Sequence, residues 1–154
     1  MKSVACAVVA VVAISFVAAA PNAEPSSQSG MSLRLELFVD DVEKSLEFYT
    51  GVLGFKKLAG SPTYQPIQSG SVTIGLGPAD RLNDGHYFNP ELQKARRGLG
   101  AEIVLEVDDV RAVYEHVKKS DHRILSPLVR RPWGLTDFRI VDPDGYYLRI
   151  TSRE

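Results

Sequence analysis

Two stretches decide the fold: Leu35-Glu36-Leu37-Phe38-Val39-Asp40-Asp41-Val42 and, sixty-eight residues on, Ile103-Val104-Leu105-Glu106-Val107-Asp108-Asp109-Val110. In the first, Leu35, Leu37 and Val39 alternate with Arg34, Glu36 and Phe38; in the second, Ile103, Leu105 and Val107 alternate with Glu102, Val104 and Glu106. A period of two is that of a strand with one face buried. Each stretch runs into an Asp pair, whose side-chain oxygens suit the orphan amides at a helix start. Beyond the first pair Val42, Leu46, Tyr49 and Leu53 recur at helical spacing, and beyond the second Val110, Val113, Tyr114 and Val117 do so. Strand then helix therefore opens two copies of one unit.

Outward from these openings, Gly51 and Gly54 are placed to end the first helix, and 55–59, 63–68 and 72–76 read as short strands between Gly, Ser and Pro turns. The second unit repeats the plan with strands over 124–129, 137–141 and 146–151, the last two joined by the turn Asp142-Pro143-Asp144-Gly145. The expected plan is βαβββ twice, with modules over 31–77 and 101–154. A polar loop over 78–100 joins them and carries His86, Tyr87, Phe88, Arg96 and Arg97. Its length suits a covering or functional role better than an idle one, and it could fold over the site as a lid.

With 154 residues the chain has the size of one ordinary domain, and 44% apolar residues exclude intrinsic disorder. Eighteen Lys and Arg against nineteen Asp and Glu give a formal charge of −1, which argues against nucleic acid as a main partner. Cys6 is the sole cysteine, so a disulfide framework, a cysteine zinc site and a cysteine nucleophile are not expected. Residues 3–20 are uncharged and seven of them are Ala, the form of a signal peptide over 1–20 followed by a flexible linker over 21–30. This predicts a secreted or periplasmic protein without a stable membrane anchor. Initiation at Met31, the alternative, would make the protein cytoplasmic.

The duplicated unit, the Val39-Asp40-Asp41-Val42 strand exit leading to Leu46-Glu47-Phe48-Tyr49 and Leu53-Gly54-Phe55, and the closing Asp142-Pro143-Asp144-Gly145-Tyr146 turn resemble the vicinal oxygen chelate superfamily of glyoxalases, bleomycin resistance proteins and extradiol dioxygenases. The resemblance implies an α+β fold: two βαβββ modules form a cupped, mostly antiparallel sheet with helices outside, and the ligand lies in the cup. It also implies a homodimer. Members isomerise, epimerise, cleave rings, open epoxides or only bind antibiotics, so the function is far less specified than the fold.

Enzymes of that superfamily hold a divalent metal with His or Gln on the first strand of each unit and Glu on the last. Carried onto this sequence, the four positions are Arg34, Gly75, Glu102 and Arg149, of which only Glu102 can ligate. The usual metal site is therefore read as absent, and no cofactor is expected. A register shift of two would instead gather Glu36, Glu102 and Glu106 around a hard cation and leave a divalent metal open.

Strand parity places Arg34, Glu36, Phe38, Thr73, Gly75, Glu102, Val104, Glu106, Tyr147, Arg149 and Thr151 on the cup face. Arg34, Glu102 and Arg149 are read as one cluster, either a salt-bridged plug or an anion pocket built on guanidinium forks. Phe38, Val104 and Tyr147 would wall it, and Glu36 or Glu106 could serve as acid or base. His86 belongs to the lid. Trp133, within Arg130-Arg131-Pro132-Trp133-Gly134, either packs over the sheet edge or stacks on a planar ligand. His116 and His122 read as solvated surface histidines, and Arg130 and Arg131 as a solvated edge.

The function this supports is a small-molecule protein that sequesters a small organic ligand, anionic or aromatic, or transforms it by acid–base chemistry. A metal-dependent isomerase, lyase or dioxygenase with shifted ligands is the alternative.

Overall fold

A computed structural model of the chain describes residues 32–88 and 97–153. The expected signal peptide and linker lie outside them, as does Arg96. The described residues form two four-stranded mixed sheets and two α-helices, the α+β plan expected. The first module comprises β1 (Leu35–Val39), α1 (Val42–Glu47), β2 (Lys56–Lys57), β3 (Gln65–Ser69) and β4 (Val72–Pro78). The second comprises β5 (Ile103–Val107), α2 (Val110–Lys119), β6 (Ile124–Arg130), β7 (Thr136–Val141) and β8 (Tyr147–Ser152). Sheet orders are β1-β4-β3-β2 and β5-β8-β7-β6, each with one parallel pair and two antiparallel ones.

The Asp pairs act as the sequence predicts. Asp41 Oδ1 accepts from the amide of Lys44 at 3.1 Å and Asp109 Oδ1 from that of Ala112 at 2.9 Å, each closing a helix start. The first helix differs from a plain amphipathic turn in its second half, because Phe48–Val52 winds as a π-helix. Thr50 there donates its hydroxyl to the carbonyl of Leu46 at 2.7 Å, competing with the backbone ladder. Gly54, at φ +71°, stops the chain in the left-handed region after this widened turn.

Alternate strand residues Leu37, Val39, Ile67, Ile74, Leu76, Leu105, Phe138, Ile140, Leu148 and Ile150 are buried with Leu46, Phe48, Tyr49, Val110 and Val117 of the helical segments. Burying each such side chain is worth about 1.5–3 kcal/mol, which fixes strand register because a slip of one residue would turn the whole set outward. Leu33 precedes β1 and is 85% exposed, so the buried face of the strand begins after it. No helix among the described residues is long and apolar enough to cross a membrane.

The turn between β7 and β8 is pinned to the opening of the first helix. Asp144 accepts from the amide of Asp40 at 2.6 Å and from the hydroxyl of Ser45 at 2.9 Å, while Asp142 accepts from the Tyr49 hydroxyl at 3.0 Å. Tyr146 donates to the carbonyl of Phe38 at 3.0 Å, and Arg97 pairs with both Asp40 and Asp144. His122, expected on the surface, is half-buried: its ring lies 4.7 Å from Phe48 and its Nε2 meets the carbonyl of Val141 at 2.8 Å. His116 is exposed, and its Nε2 lies 2.9 Å from the Gly51 carbonyl, so it too contacts the other module.

Candidate functional site

The sheet faces turned away from the helices carry the charged side chains. On the first sheet, β1 presents Arg34, just before the strand, with Glu36 and Phe38. Glu36 stands opposite Gly75 on β4, and Gly75 stands opposite Pro66 on β3. Tyr64, two residues before Pro66, falls on that same face. Its hydroxyl donates to Glu36 Oε1 at 2.9 Å, Arg34 Nε lies 2.9 Å from the same oxygen, and Arg34 also donates to the Tyr64 hydroxyl. The guanidinium carbon lies 5.3 Å from the Tyr64 ring centre.

Glycine at position 75 is required by this cluster. A Cβ there would overlap the Glu36 carboxylate and the Tyr64 hydroxyl and come within 2.7 Å of Tyr64 Cε2. Burial, followed by the bond to Glu36, raises the Tyr64 phenol above its ordinary value, while Arg34 works in the opposite direction. The hydrogen bond with Tyr64 in turn raises the pKa of Arg34.

The second sheet holds a row of three guanidiniums. Register puts Val104 beside Arg149, Arg149 opposite Arg139, and Glu106 beside Thr151, which stands opposite Asp137. Asp137 is fully buried, and Arg131 reaches its Oδ1 through both Nε and Nη2 at 2.8 Å. The other Arg131 bond goes to the Ser126 hydroxyl at 3.0 Å. This corrects the placement of Arg131 on a solvated edge: its side chain is 18% exposed and neutralises a buried carboxylate, whereas Arg130 is exposed as expected. Arg139 lies 3.5 Å from Asp137 Oδ1 and 3.5 Å from Glu102 Oε1, and Arg149 Nε lies 3.8 Å from Glu102 Oε2.

The expected cluster is thus divided. Arg34 bonds to Tyr64 and Glu36, Glu102 lies between Arg139 and Arg149, and among the described residues no contact joins Arg34 to either Glu102 or Arg149. Glu106 is exposed and makes no hydrogen bond or ion pair among the described residues, while Glu36 is engaged by Arg34 and Tyr64. Glu102 and Tyr147 line a cavity of about 350 Å³ together with Arg97, Gly145 and the 98–101 turn. Val104 is 39% exposed beside them.

Aromatic rings flank the first sheet. Phe38 meets the His86 ring edge-on at 5.2 Å and Phe88 at 5.7 Å, so the start of the connecting loop does lie over the cup face of β1. Trp133 is 57% exposed in its loop and does not form part of the core.

The donor chemistry at the four carried-over positions does not fit a divalent metal. Arg34 and Arg149 are cations without a lone pair to give, and Gly75 has no side chain, its space being filled by Glu36 and Tyr64. Among the described residues no three His, Cys, Asp or Glu side chains converge to hold one, and this includes Glu36, Glu102 and Glu106.

Tyr64, Asp137 and Arg139 were not singled out from the sequence. The signal was present in strand parity, since Tyr64 alternates with the core residue Ile67 through Pro66, and Asp137 and Arg139 flank the core residue Phe138.

Two mixed βαβββ sheets with charged cup faces define a glyoxalase-like protein of the vicinal oxygen chelate fold. The chain belongs to the Glyoxalase/Bleomycin resistance protein/Dioxygenase superfamily, whose pattern matches residues 32–150. It is similar to the lactoylglutathione lyase of Neisseria meningitidis, with 29% identity over 126 residues covering 79% of this chain and 90% of the lyase. Among solved structures it is similar to one from the mobile metagenome of V. Pseudocholerae, with 28% identity, a TM-score of 0.61, and coverage of 82% of this chain and 95% of that one. The fold is shared with a lactoylglutathione lyase from Agrobacterium tumefaciens, at 17% identity and a TM-score of 0.62, covering 82% of this chain and 96% of the lyase.

Proposed function

We propose that this protein takes a small organic ligand with an anionic group onto its cup face and acts on it without the superfamily's usual metal. One observation supports the reading: the four positions that the resemblance assigns to the metal are Arg34, Gly75, Glu102 and Arg149, and the space above Gly75 is taken by Glu36 and Tyr64. Guanidiniums recognise carboxylates, enolates and phosphates through paired N–H donors, and half-exposed Val104 and Tyr147 supply apolar wall. In keeping with the N-terminal segment, we propose export, and we propose a homodimer as in related proteins.

The same face can hold a ligand or move one of its protons, and Glu106 distinguishes the two. Of Glu36, Glu102 and Glu106 it is the one whose oxygens, among the described residues, are not spent on protein partners, so it is the base, with Arg149 two residues from its neighbour Thr151 placed to stabilise a developing enolate. The likeness to lactoylglutathione lyases favours a second reading, a metal-dependent lyase with ligands drawn from elsewhere.

The deciding experiment is elemental mass spectrometry on the full chain, purified without chelators or a histidine tag, before and after exposure to Mn, Fe, Ni and Zn. A ratio well below one metal per chain supports the metal-free reading, and turnover of a bound ligand by that protein supports the enzyme. Near one equivalent per chain, with lactoylglutathione lyase activity that follows metal loading, overturns it in favour of the second reading.

A further inference from the structure

We propose that Arg139 and Arg149 form a fork for the carboxylate of the ligand, and that Glu102 is the protein's own occupant of that fork, displaced as the ligand enters. The proposal rests on the small-molecule reading above and names the chemical class of the ligand.

Three observations carry it. First, Arg139 and Arg149 stand directly opposite each other across the antiparallel pairing of β7 and β8, where like charges are destabilising unless an anion lies between them. Second, that anion is Glu102, shared between the two: Oε1 faces Arg139 at 3.5 Å and Oε2 faces Arg149 at 3.8 Å. Both distances exceed a hydrogen bond, so neither guanidinium is saturated by it, and among the described residues the buried Nε of Arg149 has no hydrogen-bond partner. Third, the charges do not cancel. Arg131, Arg139 and Arg149 face Asp137 and Glu102, Arg131 is spent on Asp137, and one positive charge is left over at the fork. The nearby Glu106 is exposed and unpaired among the described residues.

Because the internal occupant is a carboxylate, the fork is shaped for another. Glu102 and Tyr147 also line the 350 Å³ cavity, and half-exposed Val104 lies on the strand that Glu102 precedes, so some apolar surface adjoins the fork for the body attached to the carboxylate. A buried guanidinium N–H without a partner is costly, and a ligand oxygen would satisfy it.

The test uses full-length protein labelled with ¹⁵N and follows the arginine Nε–H resonances on titration with sodium benzoate, its neutral counterpart benzamide, and inorganic phosphate. Benzoate is expected to shift the Arg149 Nε–H signal and bind more tightly than benzamide. Affinity should fall at least tenfold in Arg139→Gln and Arg149→Gln, rise several-fold in Glu102→Gln, and stay unchanged in the exposed control Arg153→Gln. Circular dichroism checks that each variant folds. If the arginine variants do not fold, Glu102→Gln decides, since a fork filled by Glu102 must bind benzoate more tightly once that carboxylate is neutral. Binding unaffected by Arg139→Gln, weakening in Glu102→Gln, no benzoate binding, or selection of phosphate over benzoate each overturns the proposal. Benzoate binding at the fork in a chain that also takes one metal equivalent leaves the fork standing and removes the metal-free reading. A metal-free chain whose benzoate affinity ignores both arginines removes the fork alone.

Discussion

Tyr49→Phe tests how the two modules are held together. Tyr49 is fully buried, edge-on to Phe48 at 5.0 Å and to Phe55 at 5.7 Å, and its hydroxyl crosses the module boundary to Asp142 Oδ2 at 3.0 Å. The substitution keeps the ring and removes that bond alone. Asp142 keeps the amides of Asp144 and Tyr146 on its other oxygen, at 3.0 and 2.8 Å. Burial raises the Asp142 pKa above 3.8, with the Tyr146 amide and then Tyr49 pulling it back down. The native state therefore keeps a proton that the unfolded chain has already lost. Stability attributable to this group is greatest below the unfolded value and falls as pH rises through the raised native one. Without the Tyr49 hydroxyl the native pKa climbs further, so the fall becomes deeper and extends to higher pH.

A hydrogen bond to an ionised carboxylate is worth about 2 kcal/mol and one to a neutral carboxyl about 1 kcal/mol. We expect Tyr49→Phe to cost about 2 kcal/mol near pH 7, a drop of about 6 °C in Tm, and about half that near pH 3. Calorimetry across this range measures it. A penalty under about 0.5 kcal/mol at neutral pH, or an equal penalty at both ends, would refute the role given to this bond.

Arg131→Met is expected to cost about 3 kcal/mol in urea unfolding, because it leaves Asp137 fully buried with only Arg139 at 3.5 Å; a loss below about 1 kcal/mol counts against Arg131 as its neutralising partner. Gly75→Ala should push Glu36 and Tyr64 apart at a cost of about 1 kcal/mol, and ultraviolet titration should show the Tyr64 phenol moving back down toward 10 as the Glu36 bond is lost. If a ligand is turned over, Glu106→Gln should abolish turnover by about two orders of magnitude with binding retained, whereas equal loss of both would assign Glu106 to binding. Phe138→Ala, at a fully buried ring edge-on to Tyr114 at 5.2 Å, should cost about 3–5 kcal/mol by calorimetry.

The fold was legible because each unit begins with the same period-two strand and capping Asp pair, and those signals are local. The two motifs that carried the resemblance have a joint purpose that only the structure discloses. Asp40 and Ser45 bond to Asp144 and Tyr49 bonds to Asp142, so the helix opening and the closing turn form the clasp between modules. On β1, β5 and β8 the buried apolar residues alternate with the others at the period the sequence shows. Parity failed to gather the charges, because Arg34 and Arg149 lie on different sheets, and the side chains of Tyr64, just before β3, and of β7 decide which partner each one meets. His122 and Arg131 were misplaced for a related reason. A residue type's average exposure says nothing of a carbonyl or a buried carboxylate waiting within reach.

Trp133 is the chain's sole tryptophan and is 57% exposed in the loop before β7. Its indole is already largely hydrated in the native state, so unfolding changes its surroundings little, and an emission spectrum is a poor witness to loss of the core. The same placement makes it a clean reporter of whatever settles against that loop, since a blue shift at constant fold would come from a newly covered ring.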